Sequence, residues 1–250
     1  MPALSIRSLR KSFLFGHRQA PQRRDALRGV DLDVEKGEVV GIVGDKCCGK
    51  TTLLLCAAGL LRSDSGSIHW YGKRFTEGGR LPGLVYLPPV PSYYPFLSVR
   101  DVLSRSGQTG NRHVTNGRGI DTLADRLSLT GSLGARVNEL SLPELKLVAI
   151  AQALTEEPRI ILIDGTFDGL SEALPTAQRV VVQEASNGST LVVASRQASA
   201  LAGVATRMVV MEAGRVTATF AAVPSDELAA TTLAFTVMDA KVRQIAERVH

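Results

Sequence analysis

The residues best suited to phosphate chemistry lie in one short stretch. Gly44, Asp45, Lys46, Cys47, Cys48, Gly49, Lys50 and Thr51 fit the spacing G-x-x-x-x-G-K-[ST]. They sit between a β-branched run, "EVVGIVG" at 38–44, and a stretch of good helix formers, "KTTLLLCAAGLL". A loop in that setting turns successive backbone N–H groups toward an anion, and the following helix adds the positive end of its dipole. Lys50 is expected to reach the β/γ-phosphates of a nucleotide, and the Thr51 hydroxyl to serve as a ligand of Mg²⁺. With Thr52, these residues form the expected nucleotide-binding set. Cys47 and Cys48 stand where small residues are usual. They either simply fit there or make the loop redox-sensitive, because a thiol near a helix N-terminus and a lysine reacts readily. Cys47 also takes a place often held by glycine, so its Cβ is expected to strain the turn.

The second chemical feature is "IILIDGTFDGL" at 160–170. An apolar run ending in an acid reads as a buried strand that delivers a carboxylate, here Asp164, to a metal ion. The next residue, Gly165, has no side chain.

The elements that position these groups follow from periodicity. Short apolar runs at 38–44, 159–164 and 189–195 read as buried strands, and they alternate with helical stretches, which argues a parallel α/β core. "GSIHWYG" alternates between glycines and reads as an edge-type strand. From about 98 to 155 the pattern is helical and looks like an inserted subdomain, interrupted by a polar, Gly-rich loop at 106–119. A further helix is expected near 172–186, and a hairpin turning at Ala213-Gly214. In the last twenty residues Phe235, Met238, Val242, Ile245 and Val249 form one helical stripe, which packs on its own domain or on a partner.

Composition narrows the class. The chain has 250 residues, 44% hydrophobic and 21% charged, as in ordinary globular domains. Net charge is +5, which fits a solvated surface or contact with anionic headgroups. The basic stretch "FGHRQAPQRRD" at 15–25 leaves the same two readings open. Aromatic residues make up only 5%, with no Lys/Arg tract interleaved, which argues against nucleic acid. No signal-peptide h-region is visible, and the longest apolar stretch, 53–61, is too short to cross a bilayer. Three cysteines, an odd count without metal-ligand spacing, suit a reducing compartment.

Taken in order, these landmarks resemble the nucleotide-binding subunits of ATP-binding cassette (ABC) transporters, from about residue 3 to about 228. "LRKSF" and "ALRGVDLDVEKGEVVGIVG" look like the family's first hairpin, with Phe13 where a ring stacks on adenine. "YLPPVPSYYPFLSVRDVL" looks like the Q-loop segment, "VNELSLPELKLVAIAQAL" like the signature and its helix, and "LVVASRQ" like the switch segment. The resemblance implies a P-loop NTPase core with an N-terminal antiparallel β subdomain and an inserted helical subdomain. It implies one nucleotide-binding domain over 1–228 and a helical extension over 229–250. ATP and Mg²⁺ are the implied cofactors, with Thr51 and Asp164 as metal ligands.

The departures from the family pattern shape the expected function. Pro89 stands at the Q-loop glutamine, Gly165 at the catalytic glutamate, Arg196 at the switch histidine and Ser171 at the D-loop aspartate. The signature keeps Ser141, which is implied to touch a partner's γ-phosphate, but Leu142 and Pro143 replace its glycines. Arginine accepts no proton at neutral pH, though its charge suits a phosphate. No catalytic residue is assigned with the family's usual chemistry. The expectation is an ATP-holding, catalytically weak subunit, peripheral on the cytoplasmic face of the membrane. It would dock on a membrane-spanning subunit and pair with a second, competent nucleotide-binding chain. An active ATPase completed by unseen neighbours, a soluble cassette protein and a nucleotide sensor or scaffold remain open beside it.

Overall fold

The computed structural model describes residues 1–16, 22–75, 81–106 and 119–221. The strands form two separate sheets. The first is antiparallel and contains β1 (Leu4–Phe15), β2 (Gln22–Val34), β4 (Ser65–Trp70) and β5 (Lys73–Arg74) in the order β2-β1-β4-β5. The second contains β3 (Val39–Val43), β6 (Leu84–Leu87), β7 (Ile160–Asp164), β8 (Thr190–Ser195), β9 (Arg207–Glu212) and β10 (Arg215–Ala221) in the order β10-β9-β3-β8-β7-β6. Its strands pair in parallel except for β10, which returns antiparallel on β9.

Strands β3, β7 and β8 are buried at each residue, which is why they read as continuous apolar runs rather than alternating ones. Their side chains still divide by the period of two. Ile161, Ile163, Leu191 and Val193 face one core, shared with the helical part of the chain. Ile160, Leu162, Val192 and Ile42 face the other, shared with the antiparallel sheet and helix α1 (Lys50–Ala57). Helices α2 (Val99–Ser106), α3 (Ile120–Arg126) and α4 (Leu142–Thr155) pack on one another, and α5 (Leu174–Ser186) lies against the parallel sheet's outer face through Ala177, Val180 and Val181.

Local signals account for several boundaries. Ser141 caps α4, and a capping box joins it to Glu144: the Glu144 N–H donates to Ser141 Oγ at 3.5 Å, while Ser141 N–H donates to Glu144 Oε2 at 2.8 Å. The Ser141 hydroxyl donates to the same carboxylate at 2.7 Å and holds it below the usual glutamate range. Pro143 sits in the first turn, where a missing N–H costs no helical bond. The β9–β10 hairpin turns at Ala213 (φ +44°) and Gly214 (φ +79°), the left-handed pair of a two-residue hairpin.

One expectation is corrected. The strand at 65–70 is not at an edge, because a left-handed turn at Tyr71 and Gly72 folds the two-residue β5 back onto it, while β1 pairs on its other side. The terminal stripe from Phe235 to Val249, most of the Gly-rich loop at 106–119 and the middle of the basic stretch at 15–25 lie outside the described residues.

Leu162 is fully buried in β7, between β8 and β6. Leu162→Ala is expected to lower unfolding free energy by about 2–5 kcal/mol, the usual range for a buried leucine truncation, measured by urea denaturation. A loss below about 1 kcal/mol would show that this layer is not close-packed.

Candidate nucleotide-binding site

Strand register builds the site. β8 lies between β3 and β7, with Val43 opposite Ser195 and Ala194 opposite Asp164. The phosphate loop, Arg196 and Asp164 therefore leave the parallel sheet at the same carboxyl-end rim, the usual place for ligands in open α/β sheets.

The loop from Gly44 to Gly49 runs directly into α1. Gly49 has φ +112°, and a Cβ there would come within 2.5 Å of the Ala26 carbonyl, so only glycine fits. The loop is braced from behind by the β9–β10 turn, whose Gly214 N–H donates to the Cys48 carbonyl at 2.9 Å. Lys50 is buried, and its ammonium donates to the carbonyls of Gly44 (2.6 Å) and Asp45 (2.9 Å) and to Cys48 Sγ (3.5 Å). α1 has no acidic residue in its first turn and no side-chain cap, which keeps its N-terminal N–H groups available to an anion.

The thiols differ. Cys48 is buried under the loop and Cys47 is exposed. Cys47 has φ +66°, the left-handed region expected of a glycine, so the anticipated backbone strain is present.

Asp164 is buried at the end of β7. Burial pushes its carboxyl above the usual range, and hydrogen bonds from Thr51 and Tyr86 act the other way. The Tyr86 hydroxyl donates to Oδ2 at 3.0 Å. Burial beside this carboxylate in turn raises the tyrosine's own pKa. A buried carboxylate joined to Thr51, next to a lysine, fits a divalent cation held jointly with phosphate oxygens. Among the described residues no group of three His, Cys, Asp or Glu side chains could hold a metal unaided.

Phe13 projects from β1 opposite Arg24 of β2 and is 41% exposed. It lines a cleft of about 360 Å³ with Arg24, Ala26, Lys46, Cys47, Gly49, Lys50, Thr51 and Thr52. The Arg24 guanidinium donates to the Cys47 carbonyl at 3.4 Å. The ring and the phosphate loop thus open onto one cleft.

Three of the positions expected to depart from the family pattern, Pro89, Gly165 and Arg196, lie around Asp168. Gly165 has φ +60°, and a Cβ built there would lie 3.6 Å from the Pro89 Cβ and 3.8 Å from Asp168 Oδ2. Asp168 accepts from the Ser195 hydroxyl at 2.6 Å and from Arg196 Nε at 3.1 Å. The buried Lys146 ammonium donates to the Asp168 carbonyl, and burial lowers its pKa. Ser141 lies in its own helix cap, and Ser171 sits in a 3₁₀ turn with φ +48°. Among the described residues no hydrogen bond joins either to the loop.

Sequence reasoning missed Arg24, Tyr86, Lys146 and Asp168. Tyr86 was within reach, as an inward position on a strand ending beside Pro88. The other three carry no local signal, because their partners are 22 or more residues away.

Residues 27–168 match the family described as ABC transporter. Among curated proteins, the chain is 34% identical over 206 residues to the Fe(3+) ions import ATP-binding protein FbpC of Mesorhizobium japonicum, covering 76% of this chain and 54% of that protein. It is 33% identical to the sulfate/thiosulfate import ATP-binding protein CysA 2 of Chromobacterium violaceum, covering 76% of this chain and 53% of that one. The chain thus spans about half the length of the curated relatives it matches. Among solved structures it is similar to a nucleotide-free ATP-binding cassette from an ABC transporter, with TM-score 0.75, 21% identity and 98% and 99% coverage of the two chains. It is also similar to a dimeric ATP-binding cassette in a post-hydrolysis state bound to ADP and Pi, with TM-score 0.75, 20% identity and 87% and 98% coverage. These likenesses establish the P-loop cassette fold.

The strain at Cys47 has a measurable consequence. Cys47→Gly is expected to stabilise the protein by roughly 1 kcal/mol, the cost of a Cβ in the left-handed region. Equilibrium denaturation checks it, and a variant no more stable than the parent would show that the loop tolerates the Cβ.

Proposed function

The chain belongs to the ABC transporter family, and from that premise we propose that it is an ATP-binding subunit that holds ATP–Mg²⁺ but turns it over weakly at its own site. The observation that carries this reading is the contrast at the carboxyl-end rim. The groups for holding phosphate and metal are assembled, whereas the position for a base is a glycine in a left-handed conformation.

The residues from Gly44 to Thr52 hold the phosphates, Phe13 takes the adenine, and Thr51 with Asp164 supplies two metal ligands. ATP, when bound, supplies the phosphoanhydride whose binding and cleavage drive such subunits. Hydrolysis further needs a positioned base, worth about 10²–10⁴ in rate. Asp168, near Gly165, is no substitute: both of its carboxylate oxygens accept hydrogen bonds from Ser195 and Arg196. Arg196 cannot take a proton. Pro89 offers no side-chain donor or acceptor to water or metal.

On this reading, residues 1–228 form the nucleotide-binding domain, with a helical insertion over about 98–155, and 229–250 form an extension. The subunit pairs with a second, competent nucleotide-binding chain, to whose phosphate Ser141 is presented in trans. It sits at the cytoplasmic face by docking on a membrane-spanning chain. Among the described residues no helix is long and apolar enough to cross a membrane. An apolar surface supports docking: Val90, Tyr94 and Phe96 are exposed, and the two rings stack with centroids 5.6 Å apart. They adjoin a cleft of about 210 Å³ between the 85–93 segment and α4. Matched relatives are named for import of Fe(3+) ions, sn-glycerol-3-phosphate and sulfate/thiosulfate, and one for alpha-glucoside transport, which supports import as the direction and assigns no cargo.

Two experiments test the split between binding and chemistry. Lys50→Ala is expected to weaken ATP–Mg²⁺ binding roughly 10- to 100-fold, since a hydrogen bond to a charged group is worth about 1.5–3 kcal/mol. Equal affinity in parent and variant, by calorimetry, would mean that the loop no longer serves nucleotide.

Gly165→Glu is expected to restore little phosphate release in the assembled complex. The new side chain meets a left-handed backbone costing roughly 1–2 kcal/mol, and Pro89 and Arg196 stay unchanged. Turnover at the rate of an intact cassette would overturn the account.

A further inference from the structure

Tyr86 carries a polar group that the nucleotide-holding reading does not use. The stretch from Leu84 to Pro89 reads Leu-Val-Tyr-Leu-Pro-Pro, so its one side-chain hydrogen-bonding group is the Tyr86 hydroxyl. That hydroxyl donates to Asp164 Oδ2 at 3.0 Å.

Strand geometry makes the contact. β6 is the edge strand and pairs in parallel with β7, with Tyr86 opposite Leu162 and Leu87 opposite Ile163. Side chains alternate along a strand, so Leu162 and Asp164 share one face of the sheet, and Tyr86 lies on the same face. This is the face that α1 covers: Leu162, Leu53 and Leu54 belong to one core, and the Tyr86 side chain packs against it. From its place opposite Leu162, the tyrosine reaches two residues further along β7 to the carboxylate. Thr51, in the first turn of α1, hydrogen-bonds the same carboxylate.

What the second donor supplies is orientation. The terminal torsion of an aspartate is broad, so one hydrogen bond leaves its carboxylate free to turn. Thr51 belongs to the phosphate loop's own helix and moves with it. Tyr86 comes from a different element, with its ring set in the core, and so fixes the carboxylate independently of the loop. The Thr166 hydroxyl donates to the Pro88 carbonyl at 3.4 Å, which ties the end of β6 to the turn after β7 and holds the two strand ends together. A carboxylate accepts about four hydrogen bonds, so the tyrosine leaves capacity for a cation. Donors of this kind aim metal ligands, and losing one typically costs roughly 10- to 100-fold in metal affinity.

We propose that Tyr86 is a positioning residue for the divalent cation: its hydroxyl holds the Asp164 carboxylate in the orientation through which Mg²⁺ strengthens nucleotide binding. The assignment rests on the nucleotide-binding reading above and deepens it, by naming the residue that couples metal to nucleotide. Tyr86 acts through Asp164 and is not itself a ligand.

The test is equilibrium binding of ATP to the full chain by calorimetry, once with excess Mg²⁺ and once with EDTA. The readout is the ratio of the two dissociation constants, the factor by which metal and nucleotide assist each other. Tyr86→Phe removes the hydroxyl and leaves the ring in the core. It is expected to lower that factor about tenfold or more, while affinity for metal-free ATP stays within about twofold. A merely structural role would move both constants together. Asp164→Asn is expected to lower the factor as well, and adding Tyr86→Phe to it to change the factor no further, since residues acting through one contact are not additive. Thermal midpoints of the nucleotide-free variants separate loss of fold from loss of coupling, and Tyr86→Met, which also lacks the donor, replaces Tyr86→Phe if the latter is unfolded. An unchanged factor in Tyr86→Phe, beside a parent that Mg²⁺ does assist, overturns this assignment alone. A raised factor shows that the hydroxyl competes with the cation and also overturns it. A parent that binds ATP equally with Mg²⁺ and with EDTA overturns this assignment and the metal part of the reading, and leaves the phosphate loop's role standing. A parent that binds ATP in neither condition overturns the nucleotide-binding reading, and this assignment with it.

Discussion

The register of three parallel strands governs everything at the site. Val43, Ser195 and Asp164 end their strands side by side, which brings the phosphate loop, Arg196 and the Asp164 carboxylate to one rim. Both faces of these strands are buried, so a slip of one residue would exchange the two cores and drive the side chains of β7 into the wrong layers. The register is therefore held by the whole hydrophobic interior. The chemistry at the rim inherits its geometry from packing several residues below it.

That dependence explains how binding and catalysis can separate. Holding a polyphosphate draws mostly on backbone N–H groups, a helix terminus, one lysine and the buried carboxylate. These come with the fold, and the fold is intact. Activating water draws on side chains at a few positions of the rim, which packing does not protect. Gly165 has a left-handed backbone that disfavours any replacement. Cys47 shows the reverse case, a side chain kept where the backbone would prefer none.

Charged side chains at the rim are tied to one another. The Asp168 carboxylate is almost wholly used up by Ser195 and Arg196, and Lys146 secures the same turn from the helical side. The turn after β7 is thereby tied both to β8 and to α4.

Much of the site was legible in the sequence because it is local. The loop spacing, the strand before it and the helix after it lie within about twenty residues, and the Ala213-Gly214 turn is equally local. The places of Gly165 and Arg196, each just past the end of a strand, were legible because the apolar runs before them end at Asp164 and Ser195. Tertiary structure alone decided the rest. The pairing of Arg24 with the Cys47 carbonyl, of Tyr86 with Asp164 and of Asp168 with Arg196 joins residues 23, 78 and 28 positions apart. The interior position of β4 depended on a two-residue strand too short to show any alternation. Local propensity carries no information about which distant strands will be neighbours. That is settled by how the apolar faces close over one another, and the polar pairs at the rim form only once they have.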